Sequence, residues 1–455
     1  MLEKSCNFAS GNEKFPAMYV TYMLERKIVS QLIHWKDQPN HKALLVKGAR
    51  QVGKTTSIRD FARSHYEHFI EINFEKMPSA RHAFDGDLDA RTILINLSAM
   101  GFSPLIPGKT LIFFDEIQAC PAARTAIKFL VEDGRYDYIE SGSLLGINYG
   151  EVSSFPVGYE HEVQMFPLDF EEFLWASGIG TDIVSSLRES YEQQRPVSSF
   201  LHARIMTCYR QYLVVGGMPE VVTTFLSSSD FSQTLSVQQS IMSGYRNDIS
   251  KYAGRDKLLA KAVFDAIPGQ LSKQDKRFVL AGIEKNTSHR KYGAPTQWLS
   301  DAGMAHYCFN VRSFELPFPL SENLRLYKLY MTDTGLLSSM MLRDIQGKVL
   351  SGEIDINEGA LTENFVACEL VCHGHSLNYY DHKSKYELDF ILPEDGRITI
   401  VEVKSGKDYK RHSSLNIVGR LFNERIGRKI VLCPGNIERT EDILYLPIYM
   451  AMFIF

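Results

Sequence analysis

The chain has 455 residues, a formal net charge of -4, 44% hydrophobic and 23% charged residues. This is ordinary globular composition, which excludes a disordered or collagen-like chain, and the length exceeds what one hydrophobic core serves, so about three domains are expected. The near-balanced charge excludes a surface that traps polyanions throughout and leaves room only for a local basic patch. Seven cysteines, Cys6, Cys120, Cys208, Cys308, Cys368, Cys372 and Cys433, are scattered without a C-x-x-C pair, the pattern of free thiols in a reducing cytoplasm. The N-terminal stretch has no signal-peptide core and no apolar run reaches membrane length, so a cytoplasmic protein without membrane contact is expected. The tail "ILYLPIYMAMFIF" reads as a core strand and a short helix.

In chain order, an amphipathic helix around "RKIVSQLIHW" and a polar break precede the apolar runs "ALLVK", "HFIEINF", "TLIFFDE", "DYIESG" and "EVQMF", which alternate with helical stretches. Such alternation predicts an α/β domain with a parallel sheet covered on both faces. Between "ALLVK" and the next helix stands Gly48-Ala49-Arg50-Gln51-Val52-Gly53-Lys54-Thr55, a complete G-x-x-x-x-G-K-T. The glycines let backbone N–H groups face a phosphate, and the helix N-terminus adds its dipole. Lys54 is expected at the β- and γ-phosphates of ATP, Thr55 at Mg2+ and Thr56 at the α-phosphate. The strand "TLIFFDE" ends in Asp115, expected to contact Mg2+, and Glu116, expected to polarise the attacking water; Ser141, ending the next strand, is a candidate γ-phosphate sensor.

The segments "GARQVGKTT", "DEIQ", "SGSLLG" and "PLDFEEFL" resemble, from about Arg26 to Trp175, an uncharacterised family of bacterial and archaeal AAA-type ATPases. The resemblance implies an AAA-like P-loop NTPase domain. Such ATPases often have Gly-Arg where this chain has Gly158-Tyr159, so a catalytic arginine is sought elsewhere, with Arg50, Arg124 and Arg135 as candidates.

From about Asp182 to Met340 the spacing is helical, and "APTQWLSDAGMAHYCFNV" reads as a helix followed by a strand, as in a winged-helix unit. Lys273, Lys276, Arg277, Lys285, Arg290 and Lys291 precede it, a candidate phosphate-tracking face for nucleic acid or an ordinary solvated surface. Gly216, Gly217 and Gly335 read as turn or cap residues. The last hundred residues return to mixed α/β, with "YELDFIL" and "ITIVEVKSG" joined by a hairpin between Pro393 and Gly396.

In that hairpin Asp389 and Glu402 come side by side, with Lys404 two residues beyond Glu402 and Glu363 on the preceding helix. Carboxylates with a lysine suit Mg2+-assisted phosphodiester hydrolysis, with Asp389, Glu402 and Glu363 as ligands; the rival is a plain ion-pair cluster. The pattern resembles the PD-(D/E)xK nuclease-like fold, and "TENFVACEL", "YELDFIL" and "VEVKSG" resemble the C-terminal domain of unknown function that accompanies these ATPases, from about Gly359 to Leu432. Cys368, Cys372, His373 and His375 lack a second ligand pair and read as core groups, not a zinc site. The expected division is 20–180 for the ATPase domain, 181–345 for the helical and winged-helix-like segment, and 346–455 for a restriction-endonuclease-like α/β domain. Two functions remain open. In one, ATP hydrolysis drives a nuclease that acts on or binds nucleic acid; in the other, an ATP-dependent switch binds a protein partner or its own copies and its nuclease-like domain is silent.

Overall fold

The computed structural model describes residues 24–143, 156–285, 287, 289–342, 358–382, 385–440 and 442–455. Cys6 and the Leu144–Gly146 end of "SGSLLG" lie outside them.

The first unit holds α1 (Ile28–Asp37), β1 (Ala43–Gly48), α2 (Lys54–His65), β2 (His68–Asn73), α3 (Ala90–Ala99), β3 (Thr110–Asp115), α4 (Pro121–Asp133), β4 (Asp137–Ser143) and β5 (Glu160–Met165). Its strands form one parallel sheet in the order β2-β3-β4-β1-β5. The continuous apolar run of β3 is explained by burial on both faces: Ile112 and Phe114 join the core under α3 and α4, while Leu111 and Phe113 join the one under α1 and α2. Each such side chain contributes on the order of 1.5–3 kcal/mol of transfer free energy. Because β4 lies between β1 and β3, a side chain at its C-terminal end stands between the phosphate loop and the acidic strand end.

Seven helices follow: α5 (Phe170–Ala176), α6 (Thr181–Glu192), α7 (Ser199–Val215), α8 (Pro219–Ser228), α9 (Phe231–Tyr252), α10 (Lys257–Leu271) and α11 (His289–Asp301). "PLDFEEFL" is an N-terminal capping box. The Asp169 carboxylate accepts from Glu172 N–H at 2.9 Å, and the Glu172 side chain accepts from Asp169 N–H at 3.2 Å.

After α11 come β6 (Ala305–Val311), β7 (Glu322–Met331), α12 (Thr334–Leu342), α13 (Gly359–Cys372), β8 (Leu377–Asp381), β9 (Glu387–Glu394), β10 (Arg397–Val403), α14 (Ser413–Leu421), β11 (Ile426–Cys433), β12 (Glu438–Arg439) and β13 (Leu444–Pro447). The hairpin expected at Pro393–Gly396 forms between β9 and β10, with Asp395 and Gly396 at φ 47° and 73°. Eight strands make one mixed sheet, β12-β13-β11-β10-β9-β8-β6-β7, in which β6 pairs with β8 in parallel. Strands from both sides of residue 345 therefore share a sheet. The tail is β13 followed by a buried 3-10 helix, Ile448–Phe453.

One core runs from Leu168 through the helices to Ile454. Phe170, Tyr209, Tyr212 and Phe365 meet in it edge-on, with ring centroids 5.1–6.3 Å apart. Gly216, Gly217 and Gly335 do more than turn the chain. A Cβ on Gly217 would stand 2.0 Å from the Leu168 carbonyl oxygen, and one on Gly335 2.1 Å from that of Val215. The Asp333 carboxylate closes this joint, accepting from Gly217 N–H at 2.6 Å and Leu336 N–H at 2.8 Å. Cys368 donates to the Met331 carbonyl at 3.2 Å and the His373 ring bonds the Ile454 carbonyl at 2.9 Å, as core groups do. No helix among the described residues is long and apolar enough to cross a membrane.

Candidate functional site

Residues 48–56 form the strand-loop-helix turn that the motif predicts. A side chain at Gly48 is barred, since a Cβ would lie 2.3 Å from the Met165 carbonyl oxygen of β5; Gly53 holds φ 98° and Gln51 φ 65°. Thr56 is exposed at the start of α2. Lys54 is buried under the loop and donates to the carbonyls of Gly48 at 3.0 Å and Ala49 at 2.8 Å. Burial pushes its ammonium down to about 8 against the pull of Glu116 and Asp115, and the nearby Arg50 charge adds to the depression.

Asp115 gathers three donors. Thr55 Oγ1 lies 3.1 Å from its Oδ1, Ser141 Oγ donates to the same oxygen, and Asn73 Nδ2 donates to Oδ2 at 2.7 Å. Asn73 stands opposite Asp115 in the β2–β3 register, and its Oδ1 accepts from the N–H groups of Glu75 and Lys76 at 3.1 and 2.8 Å. The Thr55 hydroxyl and the Asp115 carboxylate are hard oxygen donors side by side, which fits Mg2+. Glu116 is held in the left-handed region at φ 54°, a conformation costing on the order of 1 kcal/mol. Gln118 Nε2 donates to it at 2.5 Å, and burial raises its pKa.

Sequence reading missed Asn73, Gln118 and Arg26. Arg26 is buried and donates to the Val52 carbonyl of the loop and to the Phe166 carbonyl, each at 2.8 Å, while its Nε lies 3.2 Å from Glu172. The capping box of α5 thereby anchors the arginine that braces the phosphate loop. Of the candidate arginines, Arg124 is buried between Glu140 at 2.8 Å and Glu160 at 2.5 Å. Arg135 pairs with Asp133 next to the surface at the far end of α4, and Tyr159 donates to Glu132 at 2.6 Å. Only Arg50 of the three belongs to the phosphate loop, and its Nη1 lies 2.7 Å from Asp248 of α9.

The terminal carboxylates meet cations as well as one another. Asp389 accepts from Val403 N–H at 2.8 Å, and Lys404 Nζ bonds Glu402 at 2.7 Å, so the hairpin does bring these three together. The Glu402 carboxyl is buried with one oxygen unpartnered; burial pushes it up to about 8, Asp389 adding to the shift and Lys404 opposing it. Glu363 is tied to the same cluster through a cation: fully buried Lys328 of β7 lies 3.0 Å from it, 2.7 Å from Glu387 and 3.9 Å from Asp389. Lys276 and Tyr330 also donate to Glu363. Although burial works against its ionisation, Lys328 and Lys276 hold Glu363 down at about 2. The carboxylates of the expected ligand set Glu363, Asp389 and Glu402 are thus laced with lysines, Lys328 and Lys276 at Glu363 and Lys404 at Glu402. Among the described residues no group of three His, Cys, Asp or Glu is arranged to hold a metal ion.

The basic run also differs from a free phosphate-tracking face. Lys276 pairs with Glu363, Arg277 with Asp275 and, at 3.3 Å, Asp381, and Lys291 with Glu284 at 2.7 Å; Lys285 and Arg290 are exposed.

Comparison with known proteins agrees with the first unit's fold. Residues 40–174 match an AAA domain, residues 206–346 the domain of unknown function DUF8612, and residues 358–450 the domain of unknown function DUF4143. An uncharacterized protein of Haemophilus influenzae is 24% identical over 428 residues, which is 91% of this chain and 94% of that protein. Among solved structures, a point variant of Thermotoga maritima RuvB has a TM-score of 0.29 at 14% identity, covering 61% of this chain and 87% of its own. The Aeropyrum pernix ORC1 protein in complex with DNA has a TM-score of 0.26 at 14% identity, covering 71% and 92%. The fold and the domain match define an AAA-type P-loop module, a nucleotide-binding class, joined to a helical middle and a terminal mixed sheet.

Proposed function

We propose that this protein is an ATP-dependent molecular switch: it binds and hydrolyses ATP at the phosphate loop, and its terminal unit responds by engaging a protein partner without cutting nucleic acid. Of the three expected parts, 20–180 acts as the ATPase unit, while 181–345 and 346–455 respond together through the sheet they share. In it, the N–H groups of residues 48–53 and the Lys54 ammonium neutralise the phosphates, Thr56 adds a hydroxyl, and Ser141 reads the γ-phosphate end. Mg2+, held by Thr55 and Asp115, would supply charge neutralisation at the phosphates. Glu116, aimed by Gln118, accepts a proton from the attacking water and orients it.

The observation that carries the choice of a switch over a nuclease is Lys328. Its ammonium supplies the positive charge among Glu363, Glu387 and Asp389 that a catalytic metal would otherwise bring. The engagement of Lys276, Arg277 and Lys291 in ion pairs supports a protein partner over a nucleic acid. The test is twofold. Lys54→Ala abolishes nucleotide binding, and Glu116→Gln keeps binding while losing turnover. Incubation of the whole protein with mixed DNA and RNA, ATP and Mg2+ or Mn2+ leaves the nucleic acid intact. Cleavage that disappears in Lys404→Ala overturns the switch in favour of a nuclease.

A further inference from the structure

The phosphate loop is gripped by a helix of the middle region. Arg50 lies two residues after Gly48, and its guanidinium meets Asp248 of α9 at 2.7 Å. Three residues earlier on the same face of α9, buried Tyr245 donates its hydroxyl to the Arg50 carbonyl at 3.3 Å. The Asp248 side chain is only 8% exposed, while that of Arg50 is 30% exposed. The arginine is therefore the movable partner and the carboxylate the fixed one. Arg50 is also close enough to Lys54 for its charge to lower that ammonium's pKa, which puts the guanidinium within electrostatic reach of the group expected at the β- and γ-phosphates.

We propose that Arg50 is the nucleotide-sensing residue of this molecule: its guanidinium exchanges Asp248 for the terminal phosphate oxygens of ATP, and α9 is released from the phosphate loop when it does so. The proposal rests on the ATP-binding reading above and deepens it. A guanidinium makes paired, charge-assisted bonds to carboxylate or phosphate with similar geometry, and a nucleoside triphosphate presents more negative charge than one carboxylate. The exchange leaves the Asp248 carboxylate without Arg50. Lys251, one turn on, is the other cation acting on it, and Glu75 opposes. A carboxylate so placed drives its helix to shift until the charge is solvated or paired anew.

The shift has a physical route onward. Fully buried Gln238, also on α9, donates to the carbonyls of Val214 at 2.8 Å and Val215 at 3.1 Å. These carbonyls end α7 at the joint where Gly335 passes 2.1 Å, measured from its would-be Cβ, from the Val215 oxygen and Asp333 holds Gly217. α12 leaves that joint towards α13, against which it packs in the terminal unit's core. Nucleotide at the loop and the terminal unit thus share one contiguous set of contacts through α9.

The experiment uses the full chain, with hydrogen exchange of residues 241–251 followed without nucleotide, with ADP, and with a non-hydrolysable ATP analogue plus Mg2+, alongside nucleotide affinities. In the parent protein the ATP analogue, but not ADP, speeds exchange in this segment. Asp248→Asn speeds it without nucleotide and tightens ATP binding about 3- to 10-fold by removing the competitor for Arg50. Arg50→Ala retains ADP affinity, loses about tenfold in affinity for the ATP analogue, and abolishes the ATP-dependent change in exchange; Arg50→Lys restores part of the affinity but not the exchange response. An exchange response that persists in Arg50→Ala, or ATP binding weakened by Asp248→Asn, overturns the proposal. If the parent binds no ATP, the nucleotide reading itself falls; if it binds ATP and α9 does not respond, only the sensor falls.

Discussion

Replacing Lys328 by Met leaves the volume of a buried side chain nearly unchanged and removes one charge from the centre of the terminal cluster. The carboxylates of Glu363 and Glu387 then face each other without the ammonium that stood 3.0 and 2.7 Å from them, and Asp389 loses a cation at 3.9 Å. A pair of opposite charges about 4 Å apart is worth roughly 4 kcal/mol at an effective dielectric of about 20, and removing one partner of a buried pair costs about 3–5 kcal/mol in practice. For a unit of this size, where each kcal/mol shifts the melting temperature by about 2–4 °C, the melting temperature of the transition should fall by roughly 6–20 °C. Differential scanning calorimetry at pH 7 measures it. Adding Glu363→Gln to Lys328→Met should recover part of the loss, because it removes one of the stranded charges, though Lys276 and Tyr330 then lose their acceptor. A Lys328→Met protein that melts within about 2 °C of the parent would refute the view that this lysine neutralises the cluster.

Glu402→Gln should act in the opposite sense. Its folded pKa is raised to about 8, so the penalty for ionising it is absent below about 4.5 and grows as pH rises towards 8; the variant should melt several degrees higher than the parent at pH 8 and little differently at pH 5. Lys54, depressed to about 8, loses its proton in the free protein above that pH; ATP, which requires the ammonium, should bind with net proton uptake at pH 8.5 and with almost none at pH 6.5, as calorimetry in buffers of different ionisation enthalpy reads directly. Asn73→Asp keeps the oxygen that accepts from Glu75 and Lys76 but turns a second carboxylate on Asp115, and should lower Mg2+-dependent ATP turnover roughly 10- to 100-fold with the circular dichroism spectrum unchanged.

The geometry of the phosphate loop was legible because it is local. Residues 48–56 declare a turn, a dipole and a lysine within nine positions, and the apolar run ending in Asp115 declares a strand buried on both faces. Asn73 was invisible because its role depends on strand register, which brings it beside Asp115 from 42 residues away. Arg26 was missed for a similar reason: it acts on the loop only once the capping box of α5, about 140 residues on, has fixed it. In the terminal unit the hairpin was readable from Pro393 to Gly396, and Asp389, Glu402 and Lys404 meet as its spacing requires. The cation at Glu363 was not legible, because Lys328 sits on a strand assigned to another region. Which cation meets a buried carboxylate depends on tertiary packing, and no local pattern records that.

The shared eight-stranded sheet has a practical consequence for anyone who would study the C-terminal portion alone. A fragment beginning at residue 346 lacks β6 and β7, so β8 becomes an open edge with its hydrogen-bonding groups facing water over Leu377, Asn378 and Tyr379. Among these are a leucine and a tyrosine that are buried in the whole chain, and a bare apolar edge of this kind recruits other strands. Such a fragment also leaves Glu363 and Glu387 without Lys328. Precipitation of that fragment would report a torn sheet and an unneutralised cluster, and says nothing against the terminal unit in its own setting; a fragment starting before α11 would carry its missing strands and its lysine with it.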